Sequence, residues 1–220
     1  MTTTLPTGAK ERADAATNRR RVGIYGGSFD PIHSGHLGAA RHAQKALQLD
    51  EVVFVPTGVP PHKAAGHWAA PGHRCNMAKL AIADEPGFSV SDIEVQSATR
   101  AYTVDTVRSL VNAQPQVSDW YFIFGDDCAA NLHRWKGLDE LLQRVHFISI
   151  CRHRLQPEPH LQPFVSTLEV PPDPASSRDI RQALANGITS ALPLASPVLA
   201  YIEHRGLYGC HGPVDKALYE

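Results

Sequence analysis

Apolar runs and helix-spaced apolar stripes alternate along this chain from about residue 21 onward. Val22–Tyr25 is unbroken enough to predict a buried strand, and Leu37, Ala40, Ala43 and Leu47 place one stripe on a helix over Leu37–Leu49. Val52–Val55 predicts a second strand, stopped at Pro56, and Thr57–Gly72 is rich enough in Pro, Gly and His to be a loop. A helix over His73–Asp84 turns Met77, Leu80 and Ala81 inward, and Phe88–Val95 alternates as a strand does. Thr103–Ala113 reads as helix on Val104, Val107 and Val111, and Trp120–Phe124 as a strand ending at Gly125. One or two helices over 128–143, a strand at Val145–Ile150, a loop at 152–163 and a strand at Phe164–Val170 follow. Ser176–Ala185 carries a serine N-cap signal and an Asn186-Gly187 stop, and Pro197–Arg205 is a last helix.

Strands separated by helices predict the α/β class: a Rossmann-like, doubly wound parallel sheet, with a small helical portion at the C-terminal end. In such sheets ligands collect at the carboxyl ends of the strands. The unusual residues of the chain fall there: Gly26-Gly27 after the first strand, Pro56 to Lys63 after the second, Gly125-Asp126-Asp127 after the fourth, Arg152 after the fifth. We read them as one site.

Composition narrows the class further. A chain of 220 residues with 43% hydrophobic content is long enough for a full core. The expected organisation is a tail over 1–20, one domain over 21–209 and a second tail over 210–220. A net charge of -1 argues against nucleic acid as a partner. No apolar stretch approaches the roughly 20 residues that span a bilayer, so no membrane partner is expected. The four cysteines form no C-x-x-C, which fits reduced thiols in the cytoplasm, and Cys128 and Cys151 are read as packing residues. A homo-oligomer is among the states left open.

The chemistry is concentrated in Gly26-Gly27-Ser28-Phe29-Asp30-Pro31-Ile32-His33-Ser34-Gly35-His36. Glycines after a strand allow backbone N–H groups close to an anion, and a helix start adds unpaired N–H groups and partial positive charge. His33 and His36, three residues apart, share one face of the first turn. The device suits a polyphosphate and lacks only a Lys or Arg, which must come from elsewhere in the chain. No third metal ligand stands at a suitable spacing, and none is expected. Neither a G-x-x-x-x-G-K-[ST] nor a G-x-G-x-x-G follows the first strand, which excludes a P-loop and the dehydrogenase fingerprint.

His33-Ser34-Gly35-His36 behind a strand and a Gly-rich turn resembles the nucleotidylyltransferase superfamily. Within it, the chain resembles the bacterial nicotinate-nucleotide adenylyltransferases. The matching residues are Pro60-Pro61-His62-Lys63, Arg74 with Met77, Tyr102-Thr103, Gly125-Asp126-Asp127, Trp135, Cys151-Arg152, Ser176-Ser177-Arg178-Asp179-Ile180-Arg181 and Tyr201-Ile202 with Gly206-Leu207-Tyr208. Four positions depart from the pattern: Arg178 stands where a small hydroxyl is usual, and Thr57, Ala101 and Ser97 replace an asparagine, a serine and an arginine.

The resemblance implies adenylyl transfer from ATP to nicotinate mononucleotide, with magnesium carried on the ATP phosphates. It implies catalytic roles for His33, His36 and Arg181. It places Gly26, Gly27, Ser28, Phe29, Gly125, Asp127, Arg152 and Ser177 at ATP, and Thr57, Lys63, Tyr102, Thr103 and Trp135 at the acceptor. Arg178 reads as a surface charge. The alternatives are another nucleotidylyltransferase, with nicotinamide mononucleotide or phosphopantetheine as acceptor, and a non-catalytic nucleotide sensor.

Overall fold

The structure, a computed structural model, describes residues 19–58, 69–97, 101–151 and 155–210. Six strands form one parallel sheet: β1 (Arg20–Gly27), β2 (Glu51–Pro56), β3 (Phe88–Val90), β4 (Val117–Gly125), β5 (His146–Cys151) and β6 (Val165–Glu169). Their order is β3-β2-β1-β4-β5-β6, so the chain winds outward from β1 in one direction and then from β4 in the other. The carboxyl ends of β1 and β4, at the middle of the sheet, are the point where that order reverses.

Seven α-helices link and flank the strands among the described residues: α1 (Ser34–Leu47), α2 (Pro71–Ala81), α3 (Thr103–Ala113), α4 (Asp126–Ala129), α5 (Leu138–Arg144), α6 (Ser177–Ala185) and α7 (Ser196–Arg205). The period-two alternation of each strand divides the core between the two sheet faces. Tyr25, Phe54, Tyr121 and Ile123 pack on one side with Leu37, Ala40, Met77, Ile180 and Ile202 of the helices. Val22, Ile24, Trp120, Phe122 and Phe124 pack on the other with Val104, Val107 and Leu141.

Helix α3 has the expected limits, and the other elements shift by a few residues. The clearest difference is β3, which ends at Val90 although the alternation continues to Val95. It lies at the sheet edge and pairs with β2 alone, and after Ser91 donates to the Phe54 carbonyl at 2.9 Å the chain turns away. Arg19 pairs with Asp119 at 2.9 Å, Arg20 already belongs to β1 and Cys210 is buried; the rest of the expected tails lie outside the described residues. Among the described residues no helix is long and apolar enough to cross a membrane. All four cysteines are free thiols, and Cys128 is exposed rather than packed.

Candidate active site

The turn after β1 is shaped by aromatic rings. A Cβ on Gly26 would lie 3.0 Å from the Phe122 ring, and one on Gly27 would lie 2.9 Å from the Phe29 ring. Phe29 is fully buried with φ of 47°, a left-handed backbone that a bulky residue adopts only when its surroundings hold it there. Its ring makes edge contacts with Tyr25 and His36, at centroid distances of 5.4 and 5.2 Å. The glycines were expected to bare their N–H groups to an anion. In the structure their missing side chains make room for the rings, and Ser28 is what the turn presents outward.

Asp30, next in the turn, is wholly buried and precedes a cis peptide to Pro31. Its Oδ1 accepts from the Tyr208 hydroxyl at 2.6 Å and from the Ala69 N–H at 3.1 Å. Burial, and then that carboxylate, push the Tyr208 hydroxyl far above its ordinary pKa, so it remains a donor.

His33 is the N-cap residue of α1 and only 3% exposed. Its ring centroid lies 3.8 Å from that of His36. The His33 backbone N–H donates to Nδ1 of His36 at 3.3 Å, so that nitrogen holds a lone pair and the neutral ring carries its proton on Nε2. Gly35 sits between them. A Cβ there would lie 3.1 Å from Cε1 of His33 and 3.4 Å from Cγ of Asp173, so the slot beside the imidazole suits glycine.

The missing cation arrives on α6. Ser176 caps this helix, its Oγ accepting from the Asp179 N–H at 3.4 Å. Ile180 and Leu184 bury one face in the core, while Ser177 and Arg181, four residues apart, share another. Ser177 Oγ donates to the Pro31 carbonyl at 3.0 Å, and Arg181 Nη1 donates to the Asp30 carbonyl at 2.6 Å. Two consecutive carbonyls of the β1 turn thus dock a helix about 150 residues away in sequence.

A cavity of about 720 Å³ lies between these elements. Ser28, His33, Gly35 and His36 form one wall, and Ser177, Arg178 and Arg181 another. Cys151 and the segment 169–175, with Glu169 and Asp173, complete it. The volume is within the range of small-molecule sites. Imidazole, hydroxyl and guanidinium donors predominate at the two walls, a lining matched to an anion. Glu169 and Asp173 are the exceptions, and Asp173 Oδ2 accepts from Ser34 Oγ at 3.0 Å.

The remaining expected residues lie elsewhere. Gly26, Gly27 and Phe29 are not among the residues that line the cavity. Gly125 and Asp127 emerge at the end of β4, two residues past the level where Tyr25 pairs with Ile123. A Cβ on Gly125 would lie 2.5 Å from Asp127 Oδ1, so glycine lets that carboxylate fold back. On the acceptor side, Thr57 follows β2, with its N–H donating to the Gly27 carbonyl at 2.9 Å. Tyr102 and Thr103 begin α3, with the Lys136 ammonium 4.1 Å from the Tyr102 ring centroid. Trp135 packs edge-on against Phe122 at 5.7 Å and beside Phe124 at 5.6 Å, so most of its ring serves the core. None of these acceptor-side residues lines the cavity beside His33. Lys63 and Arg152 lie outside the described residues.

Sequence reading missed Glu169, Asp173 and the exposure of Cys151 to the cavity; Arg178, read as a surface charge in the place of a small hydroxyl, is exposed and lines the wall. No local pattern marks them; the path of the chain from β6 to α6 brings them in. Arg74 appeared only through resemblance. It is 2% exposed and gives all its N–H groups to main-chain and hydroxyl oxygens, and burial pulls its pKa below the ordinary value.

Comparison with known proteins adds kinship to this geometry. A family model of cytidylyltransferase-like proteins matches residues 24–183. A probable nicotinate-nucleotide adenylyltransferase of Desulfitobacterium hafniense (strain Y51) is 38% identical over 199 residues, covering 86% of this chain and 96% of its own. One of Shouchella clausii is 39% identical over 194 residues, covering 86% and 97%. Among solved structures, the Plasmodium falciparum nicotinic acid mononucleotide adenylyltransferase complexed with NaAD superposes with a TM-score of 0.69. It covers 87% of this chain and 98% of its own at 21% identity, a likeness of fold.

Proposed function

The chain belongs to the cytidylyltransferase-like family and, within it, to the nicotinate-nucleotide adenylyltransferases, and we propose from this premise how its residues carry out adenylyl transfer from ATP to nicotinate mononucleotide. An oxygen of the acceptor's phosphate attacks the α-phosphorus of ATP and forms the new P–O bond. The bond from that phosphorus to the bridging oxygen breaks, and pyrophosphate leaves with the electron pair. The products are nicotinate adenine dinucleotide and pyrophosphate. The attacking phosphate is already ionised near neutral pH, its second pKa being about 6, so no general base is required. The protein's task is alignment and neutralisation of negative charge on the leaving group.

The observation that supports this reading best is the convergence of His33, His36 and Arg181 on one cavity. His36, with Nδ1 engaged by the backbone, offers Nε2–H to the α-phosphate or to the leaving oxygen. Arg181, held through Nη1, reaches the β- and γ-phosphates with its remaining donors, and Ser28 and Ser177 supply hydroxyls beside them. Gly125 and Asp127 take the adenosine, and Thr57, Tyr102, Thr103 and Trp135 take the pyridine nucleotide. The nucleotide enters as its magnesium complex, the ion sharing phosphate charge. The cavity walls offer mainly donors to anions, which fits a cation brought by the substrate. The proposed compartment is the cytoplasm, where ATP is plentiful and free thiols such as these stay reduced.

Chromatography of products from ATP with nicotinate mononucleotide, nicotinamide mononucleotide or phosphopantetheine in parallel tests the reading. We expect the nicotinate acceptor to give dinucleotide and stoichiometric pyrophosphate at the highest kcat/KM. ATP binding without pyrophosphate release for any acceptor would make the protein a nucleotide sensor.

A further inference from the structure

Two charges outside the cavity, the buried Arg74 and the half-buried Glu94, grip the same peptide from opposite sides. Arg74, on α2, donates from Nη2 to the carbonyls of Thr57 at 2.6 Å and Gly58 at 2.8 Å. Its Nη1 donates to the Ser28 carbonyl at 2.7 Å and to Thr57 Oγ1 at 3.3 Å, and its Nε to the Ala69 carbonyl at 3.1 Å. One guanidinium therefore ties the phosphate-side turn to the segment after β2. Glu94 meets that segment from the other side. Its Oε2 accepts from the Gly58 N–H at 3.3 Å, while Oε1 accepts from Thr106 Oγ1 at 2.8 Å. Thr106 is on the first turn of α3, where its N–H bonds the Tyr102 carbonyl at 3.2 Å.

The fit is close. A Cβ on Gly58 would come 2.5 Å from the Glu94 carbonyl oxygen, so only glycine allows the two strands of chain to meet. Burial raises the Glu94 pKa, while the Thr106 and Gly58 bonds and the Arg74 charge pull the other way. A carboxylate held against its desolvation penalty by donors from two separate elements has a defined geometric task.

We propose that Glu94 is a positioning residue for the acceptor: it sets Thr57–Gly58 against Tyr102–Thr103, with Arg74 as the opposing jaw that references both to the Ser28 turn. The inference rests on the acceptor reading given above. It predicts a split between the substrates, because Glu94 reaches neither the histidines nor the cavity they line.

The test uses the full chain with ATP and nicotinate mononucleotide. Glu94→Ala should raise KM for the mononucleotide about tenfold and leave KM for ATP within about twofold. Glu94→Gln should restore acceptor KM to within about threefold, since its amide oxygen accepts from Gly58 while its NH2 donates to Thr106. Thr106→Val, which spares the Gly58 bond, should give an intermediate rise. Calorimetric titration with nicotinate mononucleotide alone should show the same order in Kd. Equal shifts for both substrates, or no rescue by Gln, would overturn the inference and leave adenylyl transfer standing. Failure of the unaltered protein to bind nicotinate mononucleotide or make dinucleotide would overturn both. If Glu94→Ala does not fold, Thr106→Val and Glu94→Gln carry the same comparison.

Discussion

His36 accepts from the His33 backbone through Nδ1, and its ring lines the cavity. Removing such a preorganised donor costs about a hundred- to a thousandfold in turnover, or roughly 3–4 kcal/mol, and this is the expectation for His36→Ala in kcat. Wild-type-like turnover would remove His36 from the mechanism. Gly35→Ala tests the same site by displacement: its methyl would press on the His33 ring from 3.1 Å. Since a shift of ~1 Å can cost ~100-fold, we expect a loss of about tenfold in kcat with the fold intact by circular dichroism. Glu94 gives a pH signature. Its folded pKa is raised, so its contribution to stability is fully present below the ordinary carboxylate pKa and is lost as pH rises through the folded value. The Tm of Glu94→Gln should therefore match wild type in acid and exceed it near neutrality. A difference of the opposite sign would mean that Arg74 and the two donors outweigh desolvation. At this scale the histidine pair was legible because its spacing is local. The tasks of Gly26 and Gly27 were not, since the rings they accommodate, Phe122 and Phe29, declare themselves only when packed.

Helix α6 shows how an element delivers chemistry. Its polar face carries Ser177 and Arg181 to the β1 turn, and Ile180 and Leu184 hold its other face in the core. The serine-cap signal and the Asn-Gly stop made this helix readable in advance, and Ser176 does accept from Asp179. Ser176→Ala should cost about 1 kcal/mol, seen as a Tm lower by a few degrees, with KM for ATP rising more than KM for the acceptor. An unchanged Tm would show that the 3.4 Å bond contributes little. Strand β3 taught the opposite lesson. The alternation from Phe88 to Val95 was real, but pairing partners exist only as far as Val90, and the remainder bends to bring Glu94 to Gly58. Alternation reports which faces are wet and dry, and it is silent on whether a neighbouring strand is present.

Over the whole molecule, the C-terminal turn is joined to the turn after β1 by the Tyr208–Asp30 bond, across 178 residues of sequence. Tyr208→Phe leaves a buried carboxylate with one donor fewer and should cost about 1–3 kcal/mol in denaturant unfolding. A midpoint equal to wild type would show that this tie adds no stability. The order of strands and helices, the parallel sheet and the placing of His33 and His36 at a helix start after the first strand were all determined by the sequence alone. Hydrophobic period, caps and turn residues act between neighbours, so they can be read from a short window. Which oxygens Arg74 would fasten, that Arg178 and Asp173 would enter the cavity wall, and that Arg181 would meet Asp30 across 151 residues were decided only by tertiary structure. Those contacts depend on where the sheet reverses its winding and how each crossover returns, and such distances exist only once the chain has closed on itself.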